Sequence, residues 1–343
     1  MTPRNLLRYF IAVATACSSC ILPARADTLL LSEVPRIQSL TAEAVLKEDF
    51  AALDKLEQHL RVSKSMYPNG RWALRDFYTS ITTSPGWSQA SIQNIEKQEN
   101  FMKRWLKANP SSLAAPVLLG RAYTVHAMLA RGEGWGSAIT PERVAGYRKY
   151  LGMARDTFQG NSKAEKQNPA WYAMQLQMAT SDSMSVQEFG KLLQASLELA
   201  PEYNEPLQAA VQYSSPNWGG SAEMLDSFAT IALKTAGAEA YTVLYSEALK
   251  VDPCNCKLKP EQLRLNWSVY EKGLQIRLKK YQSAHMVNMY AAIACNSGHP
   301  ETGNALMSRL IAIGKSVEVW KQYERFPACT TWVANFAAPI ATQ

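Results

Sequence analysis

The feature that most constrains this chain is the stretch 115–150, APVLLGRAYTVHAMLARGEGWGSAITPERVAGYRKY. It contains two helix-length segments separated by a glycine-rich break. We predict that the first helix ends at Arg131, because Gly132 can adopt the left-handed conformation that ends helices at low cost. Thr140 followed by Pro141 predicts the start of the second helix, since the threonine can cap it and proline suits its first turn. The stretch therefore predicts an antiparallel pair of helices.

Helix-length apolar stripes separated by proline and glycine breaks fill most of the remaining chain, and two of them predict helices at 221–237 and 260–281. Period-two runs of Val and Thr, which would indicate strands, are absent from the sequence. Residues 196–201 and 248–253 each end a helical pattern with the spacing of the closing proline of a tetratricopeptide repeat. We therefore predict an all-α fold of stacked antiparallel helical hairpins, a tetratricopeptide-like α-solenoid.

Residues 1–26 have the pattern of a secretory signal peptide. Arg4 and Arg8 supply a positive start, an apolar segment follows, and Ala-Arg-Ala then fits the usual cleavage pattern. We predict cleavage after Ala26 and a periplasmic or secreted mature protein. No later stretch is long and apolar enough to predict a transmembrane segment in the mature chain.

The mature chain is predicted to have three parts. Helical hairpins occupy 27–110, the tetratricopeptide-like helical domain occupies 111–332, and 333–343 form an irregular tail. The combined length exceeds that of most single domains.

The charge balance argues against a nucleic-acid partner. The chain of 343 residues has a formal net charge of +7, and loss of the signal segment with Arg4, Arg8 and Arg25 leaves +4. An excess of this size favours solubility but does not form a strong basic footprint. Acidic residues interrupt the basic cluster of the C-terminal region, which we interpret as a solvated helix face: Lys257, Lys259, Arg264, Lys272, Arg277, Lys279 and Lys280.

Sequence motifs give no catalytic residue, metal site or cofactor. The four histidines lack the spacing of metal ligands, and we interpret them as surface or hydrogen-bonded core residues: His59, His126, His285 and His299. Neither the G-x-S-x-G elbow of hydrolases nor a phosphate-binding loop occurs.

Four cysteines follow the signal segment: Cys254, Cys256, Cys295 and Cys329. An even number in an exported protein favours disulfide bonds, and the spacing is poor for zinc. A bond between Cys254 and Cys256 would be strained, so we expect each to bond Cys295 or Cys329. Two pairings satisfy that expectation.

Three motifs occur in order along the chain: Ala-Arg-Gly-Glu-Gly-Trp at 130–135, Asn-Pro-Ala-Trp-Tyr at 168–172 and Pro-Asn-Trp-Gly-Gly-Ser at 216–221. On these residues the chain resembles a bacterial family of helical, tetratricopeptide-like proteins known as domain of unknown function 4034. The resemblance covers about 110–332. It implies a fold and no particular activity.

Two of these breaks place a tryptophan, Trp135 or Trp218, among glycines. Exposed rings near Arg131 and Glu133 could hold a sugar or a peptide. Alternatively, both rings pack back onto the hairpin ends, as aromatic side chains commonly do. A carboxylate pair of Glu133 with a second acid would suit glycoside hydrolysis, although no spacing in the sequence brings two acids together.

We predict a cell-envelope scaffold or adaptor that binds a protein or peptide partner. Shape and aromatic anchors on a concave face would supply the affinity, and no reaction is required. The alternative is a small-ligand or glycan-binding protein, or a hydrolase, that uses Arg131, Glu133, Trp135 and Trp218. The oligomeric state stays open.

Overall fold

The computed structural model describes residues 33–87, 89–133, 139–160, 162–251, 256–314 and 316–323. Within these ranges the fold is all-α, as predicted, and no β-strand is present beyond an isolated bridge between Met66 and Trp72. The helices are α1 (Val34–Leu46), α2 (Phe50–Val62), α3 (Leu74–Thr82), α4 (Ile92–Ala108), α5 (Ala115–Arg131), α6 (Pro141–Gln159), α7 (Ser162–Gln167), α8 (Pro169–Asp182), α9 (Val186–Leu199), α10 (Glu205–Tyr213), α11 (Ala222–Ala248), α12 (Trp267–Lys280), α13 (Ala284–Asn296), α14 (Pro300–Ile313) and α15 (Val317–Lys321). Short 3₁₀ turns lie at Pro216–Trp218 and Pro260–Gln262.

The predicted ends of the α5–α6 pair are confirmed. Gly132 follows α5 with φ +71°, and the Thr140 side chain accepts a hydrogen bond from the Arg143 amide at the start of α6. Further along, Ser185 and Glu188 form a reciprocal capping box at the start of α9. Local side-chain chemistry therefore fixes these helix boundaries.

The predicted end of a helix at Gly237 is confirmed: Gly237 leaves the helical conformation with φ +78° and ψ −170°, so Ala222–Ala248 contains two helical segments that meet at a kink there. One predicted helix differs from the structure. The prediction of a helix from residue 260 was wrong, because α12 begins only after Asn266. The Asn266 side chain caps α12, and the backbone N–H of Asn266 donates to the Tyr241 hydroxyl at 2.8 Å. A tertiary contact therefore fixes the start of α12.

Helices pack mainly against their neighbours along the chain. Contacts join α4 to α5, α5 to α6, α11 to α12 and α13 to α14. Next-but-one contacts also occur, with α8 against α10 and α9 against α11. Buried apolar side chains form one continuous core from Ile37 in α1 to Tyr323 after α15. No helix among the described residues combines the length and apolar character needed to cross a bilayer.

The segment 66–72, called the 66–72 turn below, packs against residues that are distant from it in the sequence. Gly70 sits at its tip with φ +70°, and a Cβ there would lie 2.5 Å from the Arg277 guanidinium. Asn204 donates to the Gly70 carbonyl at 3.3 Å, and the Trp72 ring meets the Tyr203 ring edge-on at 5.6 Å. The turn therefore packs against the start of α10 and the end of α12.

Candidate functional site

A polar cavity of about 240 Å³ lies beside the 66–72 turn. We call it the turn cavity. Its lining comes from the turn and α3, the start of α10, the end of α11, α12, α13 and the residues after α15. At about 30 Å³ for each water in the liquid, this volume equals roughly eight water molecules. Residues from well-separated parts of the chain thus converge on a space that suits a small molecule.

Glu205 is the most perturbed carboxyl group of the cavity. It opens α10, its side chain is only 9% exposed, and it lies 3.3 Å from Arg75 Nε. Burial raises the pKa of Glu205 to about 7, although the nearby Arg75 opposes the shift. At neutral pH this carboxyl group therefore exists in both protonation states and can accept or donate a proton.

Arg277 and Tyr290 form the deeper wall of the cavity. Arg277 is 5% exposed and Tyr290 is fully buried. Glu239 accepts from Arg277 Nη1 at 3.1 Å, and Arg277 also interacts with the Tyr290 hydroxyl, but Arg277 Nε and that hydroxyl make no hydrogen bond of ordinary geometry among the described residues. Burial raises the pKa of Tyr290 to about 12, so its hydroxyl stays protonated and can donate.

Arg71 stands nearer the entrance, where its side chain is 32% exposed. Asp76 accepts from Arg71 Nη2 at 3.1 Å, while the buried Nε atom of Arg71 lacks a partner among the described residues. Burial lowers the pKa of His285, and the positive charges of Lys250 and Arg71 lower it further. The histidine is therefore expected to be neutral at pH 7.

The lining carries more positive than negative groups. Within the described residues, four cations line the cavity against two carboxylates, and Glu247 pairs with Lys250 at 2.6 Å. The arrangement combines fixed donors, one proton-exchanging carboxyl group and limited volume. It can bind a small polar molecule and hold it in a defined orientation.

Of the predicted ligand residues, the three that the structure describes, Arg131, Glu133 and Trp218, do not line this cavity. Arg131 is half-buried at the end of α5, where it donates to the Gly132 carbonyl at 3.4 Å, and Glu133 is exposed. Trp218 is 45% exposed between α10 and α11, whereas Trp135 lies outside the described residues. No hydrogen bond or ion pair among the described residues joins Arg131 or Glu133 to Trp218, so their shared site stays a prediction.

The predicted disulfides also stay predictions. Cys254 and Cys329 lie outside the described residues, and Cys256 and Cys295 are both half-buried. The described part of the chain contains no group of three or more His, Cys, Asp and Glu side chains that could hold a metal ion.

The histidines divide between core and cavity. His126 is buried, and its Nδ1 lies 2.5 Å from Glu99 Oε1. It is therefore a hydrogen-bonded core residue, one of the two interpretations given for the histidines. His285, in contrast, lines the turn cavity.

Sequence reasoning missed the turn cavity, and it assigned Arg277 to a solvated face. That interpretation was wrong, because Arg277 is buried. A signal was present in the spacing: Arg277 follows Tyr270 and Leu274 at helical intervals and precedes Tyr281, so it occupies the apolar stripe of α12. A charged residue within an apolar stripe indicates a buried ionic site or a ligand site.

Comparison with protein-family models found no match, and searches of curated proteins and of solved structures likewise returned none. The resemblance to the bacterial family named above therefore has no support from these comparisons and stays a prediction.

Proposed function

We propose that the protein binds a small polar ligand in the turn cavity. The observation that supports the proposal is the convergence of buried or half-buried ionic side chains from distant segments, Arg71, Glu205 and Arg277 among them, on one space of about 240 Å³. Burying such groups costs free energy unless their hydrogen-bonding atoms are satisfied. Each has an ionic partner in the protein, but Arg71 Nε and Arg277 Nε make no hydrogen bond of ordinary geometry among the described residues, and a ligand that satisfies them would offset that cost.

A thermal-shift screen tests the proposal with two matched tryptophan variants. Gln208→Trp on α10 would fill part of the cavity, whereas Gln212→Trp lies one turn along the same helix on an exposed position. The panel contains neutral sugars, amino acids, carboxylates and phosphates. We expect a compound that raises the Tm of the wild type and of Gln212→Trp but not of Gln208→Trp. If no compound distinguishes the two variants, the proposal fails.

A second proposal keeps the partner-binding role. In tetratricopeptide repeats, each helix packs on its hairpin partner and on the equivalent helix of the next repeat. The contacts of α8 with α9 and α10, and of α9 with α11, support a tetratricopeptide-like stack in this region. Recovery of one protein at near-equal stoichiometry from an envelope extract would support an adaptor role. Failure to recover any partner under gentle conditions would count against it.

Export is part of both proposals, and the pattern of residues 1–26 supports it. N-terminal sequencing of protein from the extracytoplasmic fraction should begin at Asp27. A full-length chain retained in the cytoplasm would contradict it.

A further inference from the structure

The deep wall of the turn cavity contains donors without acceptors. Arg277 Nε and the Tyr290 hydroxyl are buried and interact with each other, but neither makes a hydrogen bond of ordinary geometry among the described residues, and the same holds for Arg71 Nε nearer the entrance. Leaving a buried donor unpaired is costly, and native structures rarely do so without a functional reason. The Tyr290 oxygen can accept from Arg277, but its O–H and the Nε–H groups of Arg71 and Arg277 are donors, and donors need an acceptor.

The carboxylates near these groups are already engaged elsewhere. Asp76 accepts from Nη2 of Arg71, and Glu239 accepts from Nη1 of Arg277. Glu205 lies against Arg75, and Glu247 lies against Lys250. The protein thus pairs one Nη atom of each guanidinium with a carboxylate and leaves the Nε atoms of Arg71 and Arg277 for another acceptor.

An oxyanion matches this donor set better than a neutral or cationic group does. Guanidinium groups bind carboxylate and phosphate oxygens through short, charge-assisted hydrogen bonds, and a phenol can add a further donor. The four lining cations are each paired with a carboxylate, Asp76, Glu205, Glu239 or Glu247, so the preference for an anion comes from the donors that these pairs leave over and not from net charge.

We propose, on the premise that the turn cavity is the binding site, that its ligand carries a carboxylate or phosphate group bound by Arg277 Nε and the Tyr290 hydroxyl. Arg71 contributes from the entrance side. The remaining volume limits the rest of the ligand to a few heavy atoms inside the cavity. A free small anion and the headgroup of an anionic lipid share this chemistry, and the experiment separates them.

Tyr290→Phe is the informative variant, because it removes one hydroxyl that makes no hydrogen bond of ordinary geometry among the described residues. Tyr270→Phe is the matched control. Tyr270 is also fully buried, but its hydroxyl lies 2.9 Å from Ser246 Oγ and it does not line the cavity. Calorimetric titrations use inorganic phosphate, succinate and glucose as probes. Vesicles of phosphatidylglycerol, compared with phosphatidylcholine, test the lipid source.

We expect phosphate or succinate to bind the wild type and to bind Tyr290→Phe at least about tenfold more weakly, the size of one lost hydrogen bond to a charged group. The Tm of Tyr290→Phe without ligand should equal or exceed that of the wild type. Tyr270→Phe should keep the affinity within about twofold while its Tm falls by about 2–4 °C. If phosphatidylglycerol vesicles replace the free anions as the ligand, the same loss in Tyr290→Phe is expected with them.

Two results overturn the inference in different ways. Glucose binding that Gln208→Trp abolishes, without binding of either anion or of anionic vesicles, would leave the proposed function intact and exclude an oxyanion ligand. Anion binding that is equal in the wild type, Tyr290→Phe and Gln208→Trp would exclude the turn cavity and so reject both proposals.

Discussion

Replacing Glu205 with glutamine tests how the fold accommodates a buried carboxyl group. The pKa of Glu205 rises from 4.5 to about 7 because of burial, so folding favours the protonated form. A raised carboxyl pKa means that the folded state binds more protons than the unfolded state between about pH 4.5 and 7. Stability from this group is therefore full below about pH 4.5 and is lost as the pH rises to about 7.

The magnitude follows from the shift. A change of about 2.5 pKa units at 1.36 kcal/mol per unit corresponds to roughly 3 kcal/mol. Glutamine resembles the protonated acid and does not titrate. We therefore expect the free energy of unfolding of Glu205→Gln, relative to the wild type, to rise by roughly 3 kcal/mol between pH 4 and pH 8.

Urea unfolding at pH 4, 6 and 8 measures this difference, with Glu198→Gln on the exposed surface of α9 as the control for loss of one charge. The control should change little with pH relative to the wild type. Destabilisation of Glu205→Gln at pH 8 that matches or exceeds its effect at pH 4 would refute the reasoning. It would mean that attraction to Arg75 outweighs the cost of burying the charge.

Three further substitutions test tertiary contacts beside the turn cavity and elsewhere in the fold by urea unfolding. Gly70→Ala should lower the free energy of unfolding more than Gly219→Ala does, by about 1 kcal/mol or more. Both glycines have positive φ, but only at Gly70 would a Cβ meet a neighbouring side chain, and equal costs would contradict this contact. Gly273→Ala should lower the free energy of unfolding by about 2–3 kcal/mol, because the new Cβ would overlap the α11 backbone. Gly152→Ala on α6 has open space around its Cβ and should raise the free energy of unfolding by about 0.5–1 kcal/mol. An unchanged stability in Gly273→Ala would argue against close packing of α11 on α12. Asp54→Ala should lower the free energy of unfolding by about 2–3 kcal/mol, because the Asp54 carboxylate accepts hydrogen bonds from three side chains. A decrease below about 0.5 kcal/mol would show that water replaces the carboxylate as the acceptor.

Periodicity and capping chemistry were sufficient to predict most of the helices. Thr140 acts as the predicted cap, and Ser185 caps α9 in the same way, because capping depends on residues three positions apart. The start of α12 was not predictable in the same way. It depends on a hydrogen bond from the Asn266 amide to the Tyr241 hydroxyl, which belongs to another helix.

The turn cavity could not be located from sequence for a related reason. Gly70, Glu205 and the Arg277–Tyr290 pair are separated by long stretches of chain, and each residue has an ordinary local explanation as a turn residue, a helix start or a helix-face residue. Their role comes from the 66–72 turn, which packs against α10 and α12 across the fold. Sequence patterns report local structure well, but they do not report which distant segments meet.

A crystal structure of the mature protein, grown in the presence of phosphate, would show directly whether the turn cavity binds an anion. We expect an open turn cavity in which an anion or other small polar group accepts hydrogen bonds from Arg277 Nε and the Tyr290 hydroxyl. A cavity filled by the protein's own side chains, with Arg277 Nε and Tyr290 paired to protein acceptors, would contradict the account.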